Sequence, residues 1–239
     1  LTNFYDMQGR LIGTDGINNG LRKMALTANA EKEVKDLLTN GQTYYSYSFS
    51  GVNKSLINTP TTQEMAAFDK LYSKGELGIS EEAFAVGKNT RGEQVIVDAP
   101  SGNSEHVTVG IANNQITDEG GTVYYNAHLH PCEMSKKTAD GATYVSMPTS
   151  SAGDRKNPNT IQAKVVLGYD ISHNTSKITQ KEFNAANAAP DSWVPLNTAN
   201  FPKTMTFYRK SGDIVTLLYS NFKAAVQSIY EQTNPPKHL

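Results

Sequence analysis

One short run restricts this chain more than any other: Ala127-His128-Leu129-His130-Pro131, followed about twenty residues later by Ser151-Ala152-Gly153-Asp154. The residues leading into it, Gly121 to Ala127, are β-prone and are expected to form a strand. Side chains alternate along a strand, so His128 and His130 point to one face. Pro131 has no N–H for a ladder and ends the strand. Two imidazoles on one face plus the carboxylate of Asp154 make the three N/O ligands of a catalytic zinc site, with a fourth position left for water. A histidine pair on a strand also suits ordinary packing, and Asp154 also suits a turn, so the run alone leaves both readings open.

Composition narrows the classes around that run. The chain has 239 residues, 38% of them hydrophobic, which is enough for a real core. Net charge is −1, so nothing draws the chain broadly to nucleic acid or to a membrane surface. No apolar run approaches the length of a membrane span, and no signal peptide is visible. The chain opens at Leu1 without Met, and a fragment of a longer protein is expected. Cys132 is the single cysteine, so no internal disulfide can form. The same count excludes a zinc deaminase of the Pro-Cys-x-x-Cys type.

Residues 1–20 read as a linker or N-terminal hairpin, and 21–239 as one domain with a long irregular insertion near 172–203. Helices are expected at 21–40, 60–74 and 219–232, the last with Phe222, Ala225, Val226 and Ile229 on one face. Strands are expected at 43–50, 82–88, 93–98, 106–110, 121–130 and 160–170, with a final hairpin over 205–218. The stretch 131–150 reads as a loop, and 151–157 as a short helix. The order predicts an α/β (α+β) protein with one mixed sheet and helices on its faces.

Upstream of the histidines lie Glu81-Glu82-Ala83-Phe84 and then Val95-Ile96-Val97. The series Glu-x-Phe, His-x-His-Pro and Ser-x-x-Asp resembles the JAB/JAMM (MPN-type) zinc metalloprotease superfamily, over roughly residues 81–171. The Glu-x-Phe hairpin looks like the RadC-type branch, and by that register Glu82 matches the family's glutamate, with Glu81 the alternate. The resemblance implies a cytidine-deaminase-like, JAB-type mixed sheet flanked by helices. It implies Zn2+ held by His128, His130 and Asp154. Glu82 would be the general base, and Ser151 would donate to the oxyanion of an amide or isopeptide under hydrolysis. Cys132 is a further possible zinc ligand or a small apolar loop residue. Asp140 could replace Asp154 but lacks the serine partner, while His106 and His173 read as surface residues.

Three departures from the family pattern stand out. The interval from His130 to Ser151 is long, Leu129 replaces the usual Ser, Thr or Asn, and no Gly-rich tract follows Pro131. The long interval looks more like JAB-like modules at the C-termini of bacterial polymorphic toxins. The opening tract Asp6-Met7-Gln8-Gly9 to Asp15-Gly16 resembles the segments that precede such modules. That resemblance implies a secreted or delivered bacterial effector, or otherwise a cytoplasmic protein. Its partners would be a protein or peptide substrate and an immunity protein, with no nucleic acid. The alternative is a non-catalytic JAB-like module that binds a partner protein.

Overall fold

The computed structural model describes residues 1–77, 80–103, 105–158 and 160–233. It is mixed α/β, with six α-helices among the described residues. The chain divides into two compact units, one of Leu1–Thr62 with Tyr219–Leu239 and one of Gln63–Leu218.

The first unit carries β1 (Asn3–Tyr5), β2 (Leu11–Thr14), β3 (Arg22–Ala25), α1 (Ala28–Thr39) and β4 (Leu56–Asn58). The sheet order is β2-β1-β3-β4. Of the two readings of residues 1–20 the hairpin is the one found: β1 and β2 pair antiparallel and make half of this sheet. The helix expected from residue 21 starts later, because Thr27 accepts from the Ala30 N–H and caps it there, leaving Arg22–Ala25 free to pair with β1 and β4. The strand expected over 43–50 is instead a turn with 3-10 winding at Tyr47–Ser50. Ser46 accepts from the Thr43 N–H, a local bond that competes with a ladder. Phe49 then turns into the core against Phe4, at 5.4 Å between ring centroids.

The last helix of the chain, Tyr219–Thr233, belongs to this unit too, as its α6. It buries Phe222, Ala225, Val226 and Ile229, as its periodicity predicts. Gly9 makes the approach to it possible. A Cβ there would sit 2.4 Å from the Ala225 carbonyl oxygen, and its φ of +77° suits glycine.

The second unit begins with α2 (Thr62–Leu77), β5 (Glu82–Lys88), β6 (Gln94–Asp98), α3 (Val109–Asp118) and β7 (Thr122–Leu129). After these come β8 (Glu133–Lys136), β9 (Thr143–Val145), α4 (Ala152–Lys156) and β10 (Lys164–Tyr169). The unit ends with α5 (Gln180–Ala188), β11 (Trp193–Pro195), β12 (Lys203–Arg209) and β13 (Gly212–Leu218). A six-stranded sheet runs β13-β12-β10-β7-β5-β6, parallel only between β7 and β10. A second, three-stranded sheet runs β11-β8-β9.

Two expectations fail in this unit. The strand expected at 106–110 gives way to α3, which buries Ala112 and Ile116 against Ala83 and Ala85. Asn113, Asn114 and Thr117 are weak helix formers, and only that one-sided burial accounts for the helix. The stretches read as loop and irregular insertion supply β8, β9, α5 and β11. Here α5 starts on a capping box between Thr179 and Glu182.

The two faces of the large sheet differ. On one, α2 packs Phe68 on Phe84 at 5.3 Å and Tyr72 edge-on to Tyr169 at 5.8 Å. Gly75 lies over Leu129, where a Cβ would come within 2.2 Å of Leu129 Cδ2. Leu129 thus fills the sheet–helix interface, and the neighbouring residues His128 and His130 must point to the other face. On that other face lies α3.

Candidate metal centre

The strand β7 ends at Leu129, as Pro131 requires, and the His130 N–H donates to the Leu167 carbonyl at 2.9 Å. This ties the histidine turn to the neighbouring β10. Asp154 arrives from α4, whose start is a capping box. Ser151 Oγ accepts from the Asp154 N–H at 3.1 Å, and an Asp154 carboxylate oxygen accepts from the Ser151 N–H at 2.6 Å. The same Ser-x-x-Asp spacing therefore shapes a helix end and aims a carboxylate.

His128, His130 and Asp154 converge, with one ligand atom of each within 4.8 Å of the others. The two Nε2 atoms are 3.1 Å apart, Asp154 Oδ1 is 3.1 Å from His128 Nε2, and Asp154 Oδ2 is 3.6 Å from His130 Nε2. Three donors at ~2.0–2.1 Å around a tetrahedral ion would be about 3.3 Å apart. The observed separations are near that spacing, with each imidazole facing its own oxygen of Asp154. The chemistry fits too. The other ring nitrogen of His130, Nδ1, lies 2.9 Å from the Met147 carbonyl, which can only accept. Nδ1 therefore carries the hydrogen, and in the neutral ring Nε2 offers its lone pair toward the triangle. Burial raises the Asp154 carboxyl, but the two imidazoles beside it and the Ser151 N–H outweigh burial and hold the group far below the usual range. Burial likewise lowers His130, yet Asp154, the Met147 carbonyl and Glu81 together raise it.

The strand pairing separates the two candidate glutamates. In β5, Ala83 stands opposite His128 and Glu82 opposite Leu129. Glu82 thus shares the face of Leu129 and forms an ion pair with Lys74 of α2 at 3.0 Å. Glu81 alternates onto the histidine face and lines the cleft in front of the ligands. Burial raises its pKa, with Asp154 adding and the cleft histidines opposing. Its backbone is fixed by bonds to Asn103 and Gly102.

The other sequence candidates fall outside the ligand triangle. Cys132 is buried, its thiol pushed up to about 12 by burial and then by Glu182 and Glu133, so it is a poor source of thiolate. Asp140 caps a turn, accepting from the Ala142 N–H and the Tyr144 hydroxyl. His173 pairs with Asp170 at 2.8 Å. His106 lines the cleft without joining the three ligands.

The chain also places residues here that were not legible as site residues. Lys164, in β10, is fully buried and donates to the carbonyls of Asp154 and Asn157 at 3.1 and 3.2 Å. It satisfies the end of α4 and ties that helix to the sheet. Its ammonium lies 5.0 Å above the ring of Tyr208, which meets His128 edge-on at 6.2 Å. A lysine in an apolar strand run was the available signal. The ligands open into a cleft of about 550 Å³ whose walls include Glu81, Glu105, Glu133, Met147, Ser151 and Trp193. No family model, curated protein or solved structure matches this chain.

Proposed function

We propose that the chain is a zinc-dependent amide hydrolase of JAB/JAMM-like type, with His128, His130 and Asp154 as metal ligands. The observation that carries this reading is the convergence of the three ligand groups, with Glu81 lining the same cleft. A mixed sheet with histidines at a strand end and an acid at a helix start also supports the superfamily resemblance. The toxin-module context rests on the motif interval and the opening tract Asp6–Gly16.

When bound, a zinc ion supplies Lewis acidity and a source of hydroxide at neutral pH. The residues of the chain divide the rest. Glu81, a buried carboxylate with a raised pKa, accepts the proton of the attacking water and returns it to the leaving amine. Ser151 accepts from the Asp154 N–H through a lone pair, so its O–H is left to donate to the developing oxyanion. Met147 holds the His130 tautomer, and Lys164 holds α4 and with it Asp154.

The test is metal analysis of the purified protein beside hydrolysis of a mixed peptide library. The expected result is one zinc per chain, lost in His128→Ala, with cleavage that chelation abolishes and zinc restores. A protein that takes up zinc at His128 but cleaves no amide would instead be a metal-stabilised binding module.

A further inference from the structure

The cleft has a second polar centre beside the ligand triangle. Glu133 is 2% exposed, lines the cleft, and its Oε2 has no hydrogen-bond partner. Ser135 Oγ, two residues further along the same face of β8, is likewise buried without a partner. Trp193 of β11 stands opposite Ser135 in the strand pairing, and its indole N–H donates to Glu105 at 3.2 Å. Three carboxylates, Glu81, Glu105 and Glu133, thus border one cleft. Among the described residues no lysine or arginine pairs with any of them. Lys137 lies 5.5 Å above the Trp193 ring and forms an ion pair with neither Glu105 nor Glu133.

Buried polar groups are nearly always satisfied, and an orphaned carboxylate oxygen in a cleft wall is a place where a ligand donor belongs. The cleft that Glu133 lines also has Val107, Val109 and Trp193 in its wall, apolar surface suited to a methylene stem. Glu105 and Glu133 do not converge with the histidines into a compact ligand set, so the site suits an organic cation better than a second metal ion. We infer that Glu133, Glu105 and Trp193 form a subsite for a lysine or arginine side chain. Resting on the hydrolase reading, this makes the substrate a peptide amide with a basic residue close to the bond cut.

Trp193 is the only tryptophan in the chain, so its fluorescence reports on the subsite directly. The experiment titrates the whole protein, metal-free and zinc-loaded, at pH 9, where Glu133, raised by burial to about 8, is ionised and a lysine ammonium is still charged; the ligands are Nα-acetyl-lysine methylamide, its norleucine counterpart and alanine methylamide. The lysine compound should change the emission saturably, with Kd on the order of 1 mM. Norleucine should bind about tenfold or more weakly, because it fills the stem but leaves the carboxylates unpaired. Glu133→Gln should weaken lysine binding by about tenfold, and Glu105→Gln less, since Glu105 keeps the indole N–H. Both variants are near-isosteric, and their circular dichroism should match that of the parent. Equal binding of lysine and norleucine, unchanged binding in both variants, or no saturable change would overturn the subsite. Binding of alanine methylamide as strong as that of the lysine compound would overturn its assignment to a side chain. Lysine binding without amide cleavage would sink only the hydrolase reading, and cleavage without lysine preference only the subsite.

Discussion

The two faces of the six-stranded sheet are built from the same strands and obey opposite rules. The face toward α2 is aromatic and tightly packed, with Phe68, Tyr72, Phe84 and Tyr169 all within 1% of full burial. Even its charge is paired, Glu82 with Lys74. The face toward α3 and α4 carries alanines under α3, then His128, His130 and Tyr208 lining a cleft, with Lys164 bonded to the carbonyls of Asp154 and Asn157. Close packing stabilises the first face. On the second, polar groups are buried at a cost and aimed at one point, which is the usual mark of a functional site. Neighbours in sequence, Glu81 just before β5 and Glu82 at its start, thereby fall under different rules.

That division can be broken most directly at the two glutamates. Glu81→Gln removes the proton acceptor and should lower amide hydrolysis by about 10²–10⁴-fold with zinc content unchanged. Glu82→Gln should keep full hydrolysis and show only a small loss of thermal stability. Kinetics and metal analysis of the two variants decide it, and the reverse result would return the base to Glu82.

A substitution on the α2 face should do the opposite. Phe68→Ala opens a cavity against Phe84 and Tyr125 and should cost about 3–5 kcal/mol in denaturant unfolding. The folded fraction should still bind zinc stoichiometrically. Loss of zinc from folded protein would mean that the faces are not separable.

Lys164 sharpens the comparison from the cleft side. Lys164→Met keeps the stem but frees the Asp154 and Asn157 carbonyls, loosening the helix that presents Asp154. Zinc affinity should fall about 10–100-fold, as for other residues that orient ligands, and competition with a chelating dye measures it. An unchanged affinity would show that the capping box alone positions Asp154.

The last effect concerns pH. Burial, with Glu81 and Glu105 adding and His130 opposing, raises Glu133 from 4.5 to about 8. The folded chain therefore keeps a proton there that the unfolded chain has given up, and its stability falls as pH rises through that window. The slope from this one group is at most about 1.4 kcal/mol per pH unit. Glu133→Gln should flatten the stability profile between pH 4.5 and 8 relative to the parent. Parallel profiles from thermal melts would show that Glu133 is ionised throughout.

Much of the centre was legible before any fold was known. The period of two in a strand puts His128 and His130 on one side, Pro131 stops the strand just past them, and Ser151 and Asp154 carry the spacing of a capping box. Each is a local rule, set by backbone geometry within a few residues. The choice between Glu81 and Glu82 is not local. A slip of one residue in the β5–β7 pairing exchanges the two faces, and only the register that puts Phe84 under α2 resolves it. Lys164 and Trp193 lie outside the motif in sequence, Glu133 sits two residues past Pro131 in a stretch that reads as a loop, and α3 formed over weak helix formers. Their roles come from burial against distant elements, a quantity that exists only once the chain is folded.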